Sequence, residues 1–137
     1  MEYSSPTRRM TRGLLALTFA ATICAELAGA ARADERKLAA AEIEAALTGN
    51  TVDGNWKGTP FKQFFAADGA TTYAAKGGAP SVGKWKVDPS KDQYCSWWQG
   101  SGWDCYDIFS SGPDSIIWVV PGDGYRSPST LLKGNRM

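Results

Sequence analysis

The chain has 137 residues, with 15 Lys and Arg against 14 Asp and Glu, no histidine, three cysteines and six tryptophans. Charges this balanced, without a basic block, exclude a polyelectrolyte surface for nucleic acid, and no polybasic or long amphipathic segment marks a membrane-surface protein. The lack of histidine removes Ser-His-Asp and Cys-His catalysis and the commonest zinc ligand.

The first element in chain order is an export segment. Arg8, Arg9 and Arg12 form a positive start, and Gly13 to Cys24 is mostly apolar but too short to span a bilayer. Ala31-Arg32-Ala33 has the small-x-small form of a signal-peptidase site, which predicts a signal peptide over 1–33 and a mature chain from Asp34. Ala28-Gly29-Ala30 is a second site of that form, and Met10 would itself open a compact signal. Cys24 leaves with this segment. Cys95 and Cys105 remain as an even pair, and a disulfide between them is predicted for a periplasmic or secreted protein. No stable membrane anchor is expected after cleavage. Residues 34–137 then make one β-rich domain, able to bury about two-thirds of its unfolded surface.

The next element is a helix. Arg36 to Leu47 is rich in Ala, Glu and Leu, with Leu38, Ile43 and Leu47 near helical spacing, and Gly49 and Asn50 supply the stop. The domain therefore divides into an N-terminal helix over 34–48 and a β-barrel over 49–137. The apolar stripe is narrow and alanine-rich, which predicts weak docking of the helix.

From there Gly and Pro punctuate the chain in the rhythm of an all-β domain. Strands are predicted near Thr51–Trp56, Phe61–Ala66, Thr71–Ala75, Gly83–Val87, Gln93–Trp98, Trp103–Phe109, Ser115–Val120 and Ser129–Leu132. The fold class is mainly β: a small antiparallel up-and-down barrel or sandwich of about eight short strands, preceded by one short helix. Ala67-Asp68-Gly69, Gln99-Gly100-Ser101-Gly102 and Pro121-Gly122-Asp123-Gly124 read as turns. Asp68, Asp88, Asp114 and Asp123 fall in turns, where aspartate caps its own backbone.

The stretch from Tyr94 to Tyr106 carries most of the information. If Cys95 lies opposite Cys105, then Trp97 lies opposite Trp103, Gln93 opposite Asp107, Tyr94 opposite Tyr106 and Ser96 opposite Asp104. Trp97 and Trp98 must then point to opposite sides, so both faces of the hairpin are aromatic. The disulfide face with Trp97 and Trp103 is the more apolar and is expected to enter the core. Tyr94, Ser96, Trp98, Asp104 and Tyr106 are expected to face outward as the ligand- or partner-binding set. Trp56, Trp85 and Trp118 are read as core.

A resemblance adds to this reading. The run Glu42-Ile43-Glu44-Ala45-Ala46-Leu47-Thr48-Gly49-Asn50-Thr51-Val52, then Phe64-Phe65-Ala66-Ala67-Asp68-Gly69, Gly83-Lys84-Trp85, the two cysteines with Trp97, and Leu132-Lys133-Gly134-Asn135 resemble a family of short secreted alphaproteobacterial proteins of uncharacterised function. The pattern is also loosely similar to the calycin group of lipocalin-like barrels, which implies a ligand cavity. Neither resemblance carries functional residues onto this chain.

Two cysteines held in a disulfide serve neither as nucleophiles nor as metal ligands. The chain has no G-x-S-x-G, no phosphate-binding glycine loop and no EF-hand spacing. No cofactor, metal or catalytic residue is therefore expected. Asp104 and Asp107 fall on opposite faces of their strand, which does not suit a paired acid and base. The favoured expectation is a non-catalytic binding protein for an envelope glycan, a small ligand or a target enzyme. The alternative is a small carboxylate-dependent hydrolase acting on an envelope polymer.

Overall fold

The computed structural model describes residues 34–137. The predicted signal peptide and its expected cleavage site, with Met10 and Cys24, lie outside the described residues. Those described comprise β1 (Arg36–Lys37), α1 (Ala40–Leu47) and eight longer strands. The strands are β2 (Thr51–Trp56), β3 (Thr59–Phe65), β4 (Ala70–Ala75), β5 (Ser81–Asp88), β6 (Gln93–Trp98), β7 (Gly102–Ser110), β8 (Ser115–Val119) and β9 (Arg126–Leu132). Each of β2 to β8 pairs antiparallel with its successor, and β9 returns to pair with β2, Thr51 opposite Leu132. The eight strands thus close as an up-and-down barrel, which leaves no open sheet edge among them.

All eight predicted strands are present. The first turn of the predicted helix is not. Arg36 and Lys37 instead pair with Ser110 and Phe109, and Leu38 N–H donates to the Ile108 carbonyl at 2.8 Å. The helix starts after Ala39, whose backbone is extended and whose methyl group cannot cap it. The missing cap is supplied from elsewhere: Ala40 N–H donates to Asp92 Oδ1 at 2.7 Å, and the Glu42 carboxylate accepts Ala39 N–H at 2.9 Å. Pairing along β7 and a remote cap thus override local helix propensity.

The helix docks closely rather than weakly. Ile43 and Leu47 are fully buried and share one core with Leu38, Val52, Phe65 and Trp85. These residues, with Ile108, Ile116 and Leu131, fill the barrel at the end where β2, β4, β6 and β8 begin. The opposite end carries the hairpin loops 57–58, 76–80, 99–101 and 120–125.

Three of the four turn aspartates behave as expected. Asp68 accepts from Ala70 N–H, Asp88 from Ser90 N–H and Asp123 from Tyr125 N–H, at 2.8–2.9 Å. Asp114 differs: its main-chain carbonyl, not its side chain, takes a hydrogen bond, from Leu131 N–H at 2.9 Å.

Candidate functional site

The 93–110 hairpin has the predicted register, Cys95 opposite Cys105, with Trp97 opposite Trp103 and Tyr94 opposite Tyr106. Cys95 and Cys105 form a disulfide. The faces, however, are inverted relative to the sequence expectation. Pairing of β5 with β6 sets Lys86 opposite Cys95 and Lys84 opposite Trp97, so the disulfide shares the outer face with two lysines. Lys84 Nζ lies 5.3 Å from the Trp97 ring centre and Lys86 Nζ 4.2 Å from that of Trp103. The lysine stems shelter this apolar strip while their charged ends stay in water. Trp103 is 45% exposed.

Tyr94, Ser96 and Trp98 point into the barrel. Their face meets Trp85 and Gly83 of β5, and Trp98 lies across Gly83, where a Cβ would fall within 2.8 Å of two of its ring carbons. Tyr94 is 2% exposed and Ser96 3%. Neither is an outward residue.

This interior face lines a cavity of about 670 Å³ at the loop end of the barrel, within the size range of small-molecule sites. Of the five predicted site residues, Tyr94, Ser96, Trp98 and Tyr106 line it. Asp104 does not; it is exposed beside the mouth. The Tyr106 phenol is pushed above its ordinary pKa by burial and then by the nearby Asp104 charge.

The aromatic walls come in two groups. Phe61 stacks on Tyr73 at 5.2 Å, and Tyr73 meets Trp98 edge-to-face at 6.0 Å. In the second group Trp56 meets Tyr106 at 5.6 Å and, beyond the lining, Tyr125 at 5.2 Å, both edge-to-face. Trp118 closes the floor, edge-to-face on Tyr94 at 4.9 Å. Trp85 and Trp118 are buried as expected, whereas Trp56 is only half-buried at the rim.

A chain of polar groups runs through this wall. Gln63 Nε2 donates to Thr71 Oγ1 and to the Tyr94 phenol oxygen, each at 2.9 Å. Thr71 Oγ1 donates to the Phe64 carbonyl at 2.8 Å. Trp98 Nε1 donates to Ser96 Oγ at 3.1 Å. Burial drives the Tyr94 phenol well above its ordinary value of 10.0, with hydrogen bonds to Ser96 and Gln63 opposing that rise. No charged side chain lines the cavity among the described residues.

Sequence reasoning missed Phe61, Gln63, Tyr73 and the rim residues Ser81, Val82 and Gln99, and read Trp56 and Trp118 as core alone. One signal for Gln63 was present. It stands in phase with Phe61 and Phe65 on β3 and is 7% exposed, a polar residue on the inward phase of an apolar strand.

No protein-family model matches the chain, and no curated protein or solved structure matches it. The resemblance to short secreted alphaproteobacterial proteins therefore has no family match behind it. The architecture itself, a small closed barrel of eight antiparallel strands, is compatible with a lipocalin-like fold. Among the described residues no helix is long and apolar enough to cross a membrane.

Proposed function

We propose that this is an exported, non-catalytic binding protein that holds a small ligand inside the barrel. The single observation that carries the reading is the cavity at the loop end, walled by aromatic rings and reached by a few buried polar groups. Protein sites for small molecules have this make-up. The hydrolase reading gains no support from it, because none of the side chains that line it among the described residues is a carboxylate. Export is supported by the Cys95–Cys105 disulfide, of a kind that persists in oxidising compartments. A second reading rests on the outer face of β5 to β7, where the exposed Trp103 and its lysine neighbours present a surface for a glycan or a partner protein.

The test uses the uncharged reporter dye N-phenyl-1-naphthylamine. Binding in the cavity predicts one dye per protein, a blue-shifted and brighter emission, and a raised melting temperature. No saturable binding by this dye, with no shift in melting temperature, would contradict the reading.

A further inference from the structure

The chemistry of the cavity wall narrows the ligand class, on the reading that the cavity is a binding site. Among the described residues the wall carries no charge. An ionised ligand buried there would meet no counter-charge in the wall, Asp104 lying outside it in water, which is strongly unfavourable. The flat faces and edges of Tyr73, Trp98 and Trp118 suit a planar ring system.

The buried polar chain then says which hydrogen bond the wall lacks. Thr71 has one hydroxyl proton, and it goes to the Phe64 carbonyl. Toward Gln63 it can only accept, so the amide nitrogen of Gln63 must face it. The second amide hydrogen goes to Tyr94. Both donors of Gln63 are therefore committed, and its carbonyl oxygen, Oε1, takes no hydrogen bond from the described residues. Among those residues the side-chain atoms that are both sealed and unpartnered are Trp118 Nε1 and Ser129 Oγ. Gln63 Oε1 is not one of them, so it opens onto the cavity that its residue lines. The residue is nonetheless 7% exposed. Trp56 and Tyr106 also line the cavity, but half-buried, where water can serve their polar ends.

We infer that the cavity takes an uncharged, planar, largely apolar molecule with one O–H or N–H group at its buried end, and that Gln63 Oε1 accepts that hydrogen bond. A site holding an unpaired buried acceptor discriminates against analogues that lack the donor.

The test compares four probes by equilibrium dialysis against the oxidised protein at neutral pH. They are 2-naphthol, 2-methylnaphthalene of nearly the same shape without a donor, 2-methoxynaphthalene with an acceptor only, and 2-naphthoate with a charge. The expected result is at least tenfold tighter binding of 2-naphthol than of each of the other three. In Gln63→Leu the 2-naphthol advantage over 2-methylnaphthalene should disappear while 2-methylnaphthalene still binds, which also shows that the variant is folded. The ranking on the unaltered protein stands whether or not the variant folds. Equal binding of 2-naphthol and 2-methylnaphthalene would overturn the donor inference and leave the cavity reading intact. Failure of every probe to bind would overturn both.

Discussion

Gly83→Ala places a methyl group where the barrel has no room for one. Built on the Gly83 backbone, a Cβ would lie 2.5 Å from the Trp97 carbonyl oxygen and 2.6 and 2.8 Å from Trp98 Cε3 and Cζ3. Ordinary contacts need close to 1 Å more. The Trp98 ring can swing, but into the cavity and away from Ser96, which loses its 3.1 Å hydrogen bond from Nε1. The Trp97 carbonyl belongs to the backbone of β6, beside its pairing with β5, and cannot swing. Overpacking of this kind costs about 1–3 kcal/mol, and the backbone clash puts Gly83→Ala toward the upper end. For a domain of this size that is a fall in melting temperature of roughly 8–20 °C. Gly100→Ala is the control: nothing lies within 4 Å, so only its φ of +91° resists alanine, a cost of about 1–2 kcal/mol. Urea denaturation measures both, and the reporter dye reads the cavity. Gly83→Ala should weaken dye binding as well as stability, whereas Gly100→Ala should touch stability alone. A Gly83→Ala protein with unchanged stability and unchanged dye binding would show that Trp98 does not lie across Gly83.

Trp98→Ala should weaken dye binding strongly, while Trp97→Ala, on the outer face beneath Lys84, should leave binding unchanged and cost about 1–2 kcal/mol of partial burial and cation–π contact; the opposite pattern in dye titrations would restore the outward assignment of the site. Ile43→Ala empties a fully buried position at the helix-covered end and should cost about 2–5 kcal/mol in urea denaturation without altering dye binding; a loss under about 0.5 kcal/mol would place α1 off the barrel. The buried Tyr94 phenol has its folded pKa raised above 10.0, so its contribution is complete below about pH 10 and is lost as pH rises through the folded value. Melting temperature should therefore fall steadily above about pH 10, and a flat profile between pH 9 and 11.5 would contradict the burial. Reduction of the Cys95–Cys105 disulfide, which joins residues 10 apart, should cost about 3 kcal/mol on the chain-entropy account, read as a lower melting temperature in dithiothreitol.

The strand order and the hairpin register were legible because period-2 alternation and glycine-bearing turns are local signals. The start of α1 was not, because Arg36 and Lys37 are held by Phe109 and Ser110, far along the chain. The inversion of the hairpin faces has a different cause. Apolarity ranks the Cys95, Trp97 and Trp103 face above the Tyr94, Ser96 and Trp98 face, and in a solid core that ranking decides which side turns inward. A closed barrel with a cavity instead admits Ser96 and Gln63 to its interior, where they bond to other inward groups. Lysine stems meanwhile cover the outer tryptophans. The alternation of Lys84 and Lys86 with Gly83 and Trp85 carried this information, but only the β5–β6 register connects it to the disulfide face.

A ligand inside the barrel and a ligand on its outer tryptophans touch different indoles. Five of the six indole N–H groups report on the two alternatives, and a ¹H–¹⁵N spectrum of the indole region during dye titration reads them separately once each is assigned by substitution. Binding inside the barrel predicts that the Trp56, Trp98 and Trp118 resonances move together with saturation, while Trp97 and Trp103 stay in place. Movement of Trp97 and Trp103 with the interior three unaffected would contradict it and move the binding surface to the disulfide face.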